Sequence, residues 1–505
     1  MGIYREIKRL INYGLKQNLF NKEDEIFIRN SLLSLLNLDE YEDIELEEEE
    51  LSTPTDILNN ILDYAYEKGI LESNTPIYRD LLDTKIMAVL MPRPSEIIRN
   101  FNEKLKISNE EATSYFYHVS KACDYVRTDR ITQNLAWKSK TDYGNLDITI
   151  NLSKPEKDPK AIAAAKNLPP SKYPKCLLCK ENEGYRGRIN HPARQNLRVM
   201  PLNLNNEKWF LQYSPYAYYN EHCIVLSENH VPMQITNKTF DRLLEFVHRF
   251  PNYFLGSNAD LPIVGGSILT HDHYQGGNYE FAMNKAEDYT EFILKNYEHV
   301  TLSIVKWPLT VLRLKGRNRF ELSELAYKIL NHWKNYNDPK VNILSFTKDI
   351  PHNTITPIVR KEKENFIMDL VLRNNRTSEE YPDGIFHPHV ELHNIKKENI
   401  GLIEVLGLAV LPARLKDELE IIKNSLTTKK DDIYNYDSMK IHYSWYEEIK
   451  MKNKDITLSN VDSVIENEVG NVFTKVLEHC GVFKWNDDGK KAIERYIDSL
   501  KLSIY

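Results

Sequence analysis

The middle of the chain repeats one order of extended and helical segments, and this repetition limits the folds that it can adopt. Between about residues 170 and 425, aromatic and β-branched segments are followed by a helical pattern and then by a strand that ends in His-x-His. The first half ends at His271 and His273, and the second half ends at His387 and His389. We therefore predict an α+β fold built on a duplicated unit, with a sheet rich in antiparallel strands.

Helical patterns flank this repeat on both sides. Apolar residues recur at helical spacing in the segment before the repeat and again in the segment after it. The sequence therefore predicts four regions: a mainly helical N-terminal region at 1–165, two repeated units at 166–310 and 311–425, and a helical C-terminal region at 426–505. The first repeated unit carries the motif that is richest in candidate catalytic residues.

The composition predicts a cytoplasmic protein and argues against two kinds of partner. The 505 residues carry a formal net charge of −7, which disfavours a general nucleic-acid binder. A membrane partner is not expected, because no apolar run approaches the roughly 20 residues of a membrane-spanning helix and no signal core is expected at the N-terminus. Five cysteines, an odd number in so long a chain, are typical of a reducing compartment.

The strand segment THDHYQGG concentrates polar chemistry. Alternate side chains of a strand share a face, so His271, His273 and Gln275 are predicted to point in one direction. A neutral imidazole can attack phosphorus near pH 7, and an amide can donate to phosphoryl oxygens in the transition state. Gly276 and Gly277 would let a ligand approach the backbone. The motif indicates nucleotidyl transfer, although a single His-x-His also fits a structural pair or a metal site.

A second motif, CLLC, predicts a metal site. Cys176 and Cys179 have the two-residue gap that presents two thiolates to a tetrahedral zinc ion. The chain has no second Cys-x-x-C, so histidines would have to complete the ligand set. The candidate histidines are His230 and His271, with His222 and His191 as substitutes. The alternatives are a redox pair and two thiols without a metal.

The histidines around FHPHVELH form a further candidate metal cluster. His387 and His389 alternate onto one face of a strand, and a carboxylate would complete a mixed oxygen and nitrogen site for iron or zinc. The same side chains could instead hydrogen-bond across the strand. The other candidate ligands are His352, His393 and, as the carboxylate, Glu287 or Glu280.

Four long segments, taken together, resemble one known family. They are CLLCKENEGYRGR, QYSPYAYYNEHCIVLSENH, GSNADLPIVGGSILTHDHYQGG and FHPHVELHNIKKENIGLIEVLGLAVLPARL. These segments are similar to the galactose-1-phosphate uridylyltransferases, specifically the bacterial class II group, and the resemblance spans roughly residues 100–425. The family belongs to the histidine-triad superfamily, in which a duplicated α+β unit binds a nucleotide across its sheet.

The resemblance implies a ping-pong uridylyl transfer in galactose metabolism, the Leloir pathway. His273 would attack the α-phosphorus of UDP-glucose and release glucose 1-phosphate, and galactose 1-phosphate would then take the uridylyl group from the histidine. Gln275 matches the glutamine that contacts the transferred phosphoryl group. Asn258 and Ser267 match nucleotide- and phosphate-contacting residues of the class I enzymes. A homodimer without an organic cofactor is also implied.

The resemblance also implies metal ligands. In class I, zinc is held by a Cys-x-x-C pair, a downstream His and the first His of the triad, and the matching residues are Cys176, Cys179, His230 and His271. A second class I metal uses a Glu and three His, for which the approximate matches are His352, His387 and His389. The class I acid has no clean counterpart in this chain. Asp272 replaces the proline that class I carries between its two histidines.

Basic residues near both motifs are candidate phosphate contacts. Arg194 follows the cysteine motif, and its guanidinium could pair with phosphate oxygens. Lys396 and Lys397 precede a helix that is predicted to start near Asn399, where an anion would be favoured, although both could equally be solvated surface residues.

Two rival functions follow from the same residues. One is another nucleotidylyltransferase or phosphorylase of the histidine-triad superfamily, acting on a different nucleotide. Gln275 in place of a third histidine favours transfer over hydrolysis. The other rival is a zinc-stabilised nucleotide-binding protein without turnover, which predicts that replacing His273 has no effect on function.

Overall fold

The computed structural model describes residues 2–153, 171–266, 268–428 and 430–502. The chain forms two compact units, and each combines segments that are distant in sequence. The first unit comprises Met1–Gln133, Ser153–Val231 and His271–His273, and the second comprises Asn134–Leu152, Pro232–Thr270 and Tyr274–Tyr505. The four regions predicted from the sequence are continuous stretches of chain, whereas each of these units combines distant segments. The predicted boundaries therefore stay predictions.

Helices and strands alternate along the described residues in an α+β arrangement. The helices are α1 (Ile3–Lys16), α2 (Glu25–Leu35), α3 (Thr55–Glu67), α4 (Pro76–Leu90), α5 (Pro94–Leu105), α6 (Asn109–Ala122), α7 (Thr128–Ile131), α8 (Asn237–Arg249), α9 (Arg319–Asn335), α10 (Leu402–Val405), α11 (Leu415–Thr428), α12 (Tyr443–Lys452), α13 (Val461–Cys480) and α14 (Asp487–Ser499). The strands are β1 (Leu135–Thr141), β2 (Gly144–Ile150), β3 (Met200–Leu204), β4 (Glu207–Tyr213), β5 (Cys223–Ser227), β6 (Phe254–Gly256), β7 (His273–Gly277), β8 (Asp288–Ile293), β9 (Val300–Val305), β10 (Val311–Gly316), β11 (Phe346–Thr347), β12 (Ile350–Pro351), β13 (Asn353–Glu362), β14 (Asn365–Asn374) and β15 (Leu408–Leu411). The predicted α+β class is confirmed.

The first unit combines a helical core with a small antiparallel sheet. Apolar residues at helical spacing form this core, in which Ile7 and Ile11 of α1 pack in one cluster with Ile57 and Ile61 of α3. Strands β3, β4 and β5 pair as consecutive antiparallel neighbours. Among the described residues, no helix has the length and the apolar character needed to cross a membrane.

The second unit is built on an antiparallel sheet with the strand order β7-β6-β13-β14-β10-β9-β8. Its longest strands, β13 and β14, pair along their whole length, from Asn353 with Asn374 to Glu362 with Asn365. Nearly all of their side chains are buried, and helices α8 and α9 pack against β13. The antiparallel sheet predicted from the sequence is therefore confirmed.

A separate three-stranded sheet in the second unit contains the hairpin β1–β2, to which β15 adds in parallel. Helix α13 is tied to it because Nε1 of Trp137 and Oγ of Ser139 both donate to the carbonyl oxygen of Glu466, at 3.2 and 2.8 Å. The prediction of a mainly helical N-terminal region did not include this hairpin. The signal was present in the alternating segment NLDITI and in Gly144, whose φ of +107° suits a turn.

A buried ion cluster joins the three central strands of the large sheet. Asp369 of β14 is fully buried and accepts hydrogen bonds from Nε of Arg313 on β10 at 2.7 Å and from Nη1 of Arg360 on β13 at 2.5 Å. Burial opposes the charged form of this carboxyl group, but the two guanidinium groups outweigh it and lower the pKa of Asp369. The carboxylate therefore compensates two cations inside the sheet.

Asp369→Asn is expected to lower the free energy of unfolding by about 3–5 kcal/mol, because two buried guanidinium groups lose the buried carboxylate that they share and keep only the more exposed Asp288 and Glu362. Urea unfolding followed by tryptophan fluorescence measures this loss, since Trp333 is buried in the same unit. A carboxyl group with a lowered pKa stabilises the fold above its unfolded-state pKa, so the difference from the wild type should shrink below about pH 4.

Asp63→Asn is the matched control for this substitution. Asp63 pairs with Arg79 at 2.7 Å, but 59% of its side chain is exposed. Its replacement should therefore cost less than about 1 kcal/mol. Equal losses in the two variants would contradict the role given to the buried ion cluster.

Candidate metal centre and active-site strand

Four ligand-type side chains from three separate segments converge in the first unit. Cys176 and Cys179 lie in the loop before β3, His230 follows β5, and His271 lies two residues before β7. Their Sγ and ring nitrogen atoms all lie within 4.8 Å of one another. The structure thus brings together the four residues that the resemblance implied for zinc.

The separations between these atoms fit a tetrahedral metal site. The two Sγ atoms are 3.5 Å apart, and Sγ of Cys176 lies 3.3 Å from Nδ1 of His271. Sγ of Cys179 lies 3.3 Å from Nδ1 of His230 and 3.6 Å from Nδ1 of His271. Zinc–ligand bonds of about 2.0–2.3 Å give tetrahedron edges of roughly 3.3–3.8 Å. The donor set therefore fits a tetrahedral zinc ion in both chemistry and size.

Hydrogen bonds around the four side chains orient them for a metal. Nε2 of His271 lies 2.9 Å from the carbonyl oxygen of Ser227, which can only accept, so the proton is on Nε2 and Nδ1 keeps its lone pair. The N–H of Leu178 donates to Sγ of Cys176 at 3.4 Å. Burial raises the pKa of Cys176 to about 11, so a bound cation would be needed to hold it as a thiolate.

The two substitute histidines do not join this group. His222 is buried, and its ring packs against Tyr219 with the ring centroids 4.6 Å apart. His191 lies with its Nε2 2.6 Å from the amide oxygen of Asn182. Of the four candidate histidines, His230 and His271 are the ones that lie in one group with the two cysteines.

Asp272 is the residue between the two histidines of the motif, and two backbone hydrogen bonds hold it in place. Its N–H donates to the carbonyl oxygen of Val231 at 2.7 Å, and its own carbonyl oxygen accepts from the N–H of Ser227 at 3.0 Å. Ser227 is the last residue of β5, and Val231 directly follows His230. The motif and the metal-binding segment are thus connected through the backbone as well as through side chains.

His273 opens strand β7 with its ring in a defined tautomer. Nδ1 lies 2.8 Å from the carbonyl oxygen of His271, and because this oxygen can only accept, Nδ1 carries the proton. Nε2 therefore presents its lone pair. Burial lowers the pKa of His273 to about 4, which leaves the ring neutral at pH 7. A neutral imidazole with a free Nε2 is the form that acts as a nucleophile.

Gln275, Gly276 and Gly277 continue the same strand. In the second unit they pair with residues of β6: Gln275 with Gly256, Gly276 with Leu255 and Gly277 with Phe254. Gln275 is half-buried, and its Oε1 is buried with no hydrogen-bond partner among the described residues. Gly277 has a φ of +155°, which favours glycine. His273 and Gln275 are alternate residues of β7, the spacing on which the prediction of a shared face rests.

Three other residues were predicted to contact the substrate. Two of them make contacts within the protein, and the third lies outside the described residues. Oδ1 of Asn258 accepts from the backbone N–H of Leu402 at 2.9 Å in the second unit. In the first unit, Arg194 donates to a backbone carbonyl oxygen at 3.1 Å and lies over the ring of Tyr125, 5.7 Å from its centroid. Ser267 lies outside the described residues.

Lys396 and Lys397 differ in environment. Lys396 is buried, and its Nζ donates to the carboxylate of Glu404 and to the carbonyl oxygen of Val410, both at 3.0 Å. Lys397 is exposed. The solvated-surface interpretation therefore fits Lys397 but not Lys396, whose charge is compensated within the fold.

His352, His387 and His389 do not form one ligand set among the described residues. Nδ1 of His352 lies 2.8 Å from Oδ1 of Asn375, and Nε2 of His387 lies 3.1 Å from Oδ1 of Asn399. For His352 and His387 the structure thus agrees with the alternative that the sequence left open, in which the ring nitrogens make structural hydrogen bonds.

His389 belongs instead to a group that the sequence did not indicate. The ligand atoms of His389, Glu391 and His479 lie within 4.8 Å of one another in the second unit. His389 and His479 are 90 residues apart, and no motif connects them. A single histidine in a helix such as α13 carries no local signal of a metal site, so only the fold reveals this proximity.

Comparisons with known proteins identify the family. Two family models match, described as the N-terminal and C-terminal domains of galactose-1-phosphate uridyl transferase, over residues 18–232 and 245–447. The galactose-1-phosphate uridylyltransferase of Clostridium acetobutylicum is 55% identical over 498 residues, covering 99% of this chain and 100% of its own length. Those of Halalkalibacterium halodurans and Bacillus subtilis are 55% and 48% identical, covering 98% and 99% of this chain and 98% of their own lengths. The chain therefore belongs to the galactose-1-phosphate uridyl transferase family.

Proposed function

We propose that the protein transfers a uridylyl group from UDP-glucose to galactose 1-phosphate through a covalent intermediate on His273. Membership of the family supports the overall reaction. The observation that carries the choice of nucleophile is the 2.8 Å hydrogen bond from Nδ1 of His273 to the carbonyl oxygen of His271. This bond holds the proton on one ring nitrogen and leaves the lone pair of the other for attack.

The transfer proceeds in two displacements at the same phosphorus atom. In the first, Nε2 of His273 attacks the α-phosphorus of UDP-glucose, and glucose 1-phosphate leaves with the electron pair of the broken P–O bond. The ring is then cationic, and the carbonyl oxygen of His271 stabilises the Nδ1–H. In the second, a phosphate oxygen of galactose 1-phosphate attacks, the P–N bond breaks, and UDP-galactose leaves with His273 restored.

Gln275 is proposed to donate from its amide N–H to an oxygen of the transferred phosphoryl group. Its position two residues after His273 in β7, where alternate side chains share a face, supports this role. Gly276 and Gly277 are proposed to leave room for the substrate. The contacts of Asn258, Ser267 and Arg194 with the substrate stay predictions.

We also propose that Cys176, Cys179, His230 and His271 hold a zinc ion, which the fit of their separations to a tetrahedron supports. Four protein ligands leave no open position, so the ion would supply structural rigidity and not a reacting group. Because His271 is one of the ligands, a fixed ring at this position helps to fix the carbonyl oxygen that orients His273. The second metal predicted at His352, His387 and His389 is not part of this proposal, because these residues do not form one ligand set among the described residues.

We further propose that the protein is a cytoplasmic homodimer and that it needs no organic cofactor. The support for this is the sequence resemblance together with the composition, in particular the five cysteines of the chain. Size-exclusion chromatography with light scattering measures the oligomeric state, and a mass equal to that of one chain would contradict the dimer.

His273→Ala should abolish covalent labelling by UDP-glucose that carries ³²P in the α-phosphate, because the variant lacks the attacking nitrogen. The wild-type protein should acquire an acid-labile, base-stable label that galactose 1-phosphate discharges. Circular dichroism should show an unchanged fold in the variant.

His248→Ala is the control, since His248 is an exposed residue of α8 outside the proposed site. It should label as the wild type does. If folded wild-type protein stays unlabelled, the covalent mechanism is wrong and the binding-protein alternative gains support. If the His273→Ala variant labels normally, another residue is the nucleophile.

Cys179→Ser should reduce bound zinc from about one ion per chain to a small fraction of that value, because one of the four ligands is lost. Elemental analysis after gel filtration measures the metal content. Cys123→Ser is the control, since Cys123 is also buried but lies outside the four-residue group. A wild-type protein that carries no zinc after expression with zinc would contradict the proposed metal centre.

A further inference from the structure

Asn182 ties together the peptide groups of both cysteines of the proposed metal centre. It ends the short 3₁₀ turn Lys180–Asn182, three residues after Cys179, and only 1% of its surface is exposed. Its Nδ2 donates to the carbonyl oxygen of Cys176 at 2.8 Å and to that of Cys179 at 2.7 Å. One side-chain amide thus fixes the two residues whose thiols must converge.

The orientation of this amide is determined by its partners. Carbonyl oxygens can only accept, so the NH₂ group of Asn182 must face the two cysteines and its Oδ1 must face the other way. Oδ1 lies 2.6 Å from Nε2 of His191, which must therefore donate. A flipped amide would place Oδ1 against two carbonyl oxygens that can only accept, so the amide has one orientation.

His191 is itself held by a tight hairpin. Its backbone exchanges hydrogen bonds with Arg188 at 2.8 and 2.9 Å, and the ring of Tyr185 meets its ring edge-on at a centroid distance of 5.2 Å. Gly187 has a φ of +77°, and a Cβ atom there would lie 2.5 Å from the Cα atom of Ala193. The hairpin therefore closes only with glycine at this position, and it presents His191 in a fixed place.

We propose that Asn182 and His191 are positioning residues of the metal centre, which hold Cys176 and Cys179 at the separation that a tetrahedral ion requires. This inference rests on the metal centre proposed above. The 3.5 Å distance between the two Sγ atoms is achieved in a loop that has no regular secondary structure to impose it. Groups that hydrogen-bond to metal-binding residues and hold them in place are commonly important for affinity. Their replacement typically weakens metal binding by about 10–100-fold.

Asn182→Ala should weaken Zn²⁺ binding by about 10–100-fold, because the two cysteine carbonyl groups lose the side-chain donor that joins them and keep only one backbone N–H donor each. The affinity is measured on the full chain by competition with a chromophoric chelator. Substitution with Co²⁺ gives a second measurement, since the intensity of its visible absorption depends on tetrahedral geometry. The variant should show weaker and shifted bands, whereas a purely structural role would leave the spectrum of the bound ion unchanged.

Asn196→Ala is the matched control. Asn196 is likewise a buried asparagine of the first unit, and its Nδ2 donates to the carbonyl oxygen of Cys123 at 2.9 Å, a cysteine outside the metal group. Its replacement should lower the thermal midpoint to a similar extent but leave the Zn²⁺ affinity and the Co²⁺ spectrum unchanged.

His191→Ala provides a second route to the same conclusion if Asn182→Ala does not fold. It should reduce Zn²⁺ affinity in the same direction but less, because Asn182 keeps its two donors and loses only the group that orients it. In the double variant, the loss should not exceed that of Asn182→Ala alone, since the two residues act through one contact.

The outcomes separate this inference from the proposed reaction. Zn²⁺ affinity is measured without substrate, so it does not depend on transfer at His273. A wild-type protein that binds Zn²⁺ together with an Asn182→Ala variant of equal affinity and spectrum would overturn the positioning role alone. A wild-type protein that binds no Zn²⁺ would overturn the metal centre and, with it, this inference.

Discussion

The candidate site depends on the contacts that the ring and the carbonyl group of His271 make. The ring presents Nδ1 to the two cysteines, and the carbonyl oxygen accepts a hydrogen bond from Nδ1 of His273, which leaves the lone pair on Nε2. The same residue therefore belongs to the metal group and orients the nucleophile. Because the partners of His271 come from the CLLC loop and from the end of β5, the chemistry requires these distant segments to be folded together.

Local signals made much of this site predictable. The two-residue gap between Cys176 and Cys179 needs only one turn of chain, and the alternation of His271, His273 and Gln275 needs only one strand. Such short-range patterns can be recognised in the sequence without knowledge of the surrounding fold. The α+β class was predictable for a similar reason, since strand and helix periodicities can be read over short windows.

The remaining features depend on contacts that no short window contains. His387 met the same alternation rule as His273, yet it makes a structural hydrogen bond with Asn399, and His389 lies beside His479 from a remote helix. The sequence left Lys396 as either a phosphate contact or a solvated surface residue, whereas in the structure it is buried and donates to Glu404. Which partner satisfies a polar group is decided by tertiary packing, so the sequence could nominate these residues but could not assign their roles.

Asp272 uses a backbone donor that a proline at the same position would lack. Its backbone N–H donates to Val231, whereas the proline that class I carries at the matching position has no N–H and would also restrict the conformation of the residue before it. A proline at position 272 would remove the hydrogen bond to Val231 but not the one that the carbonyl oxygen of this residue accepts from Ser227. The segment that carries the motif is therefore held by a backbone N–H that only a residue other than proline can supply.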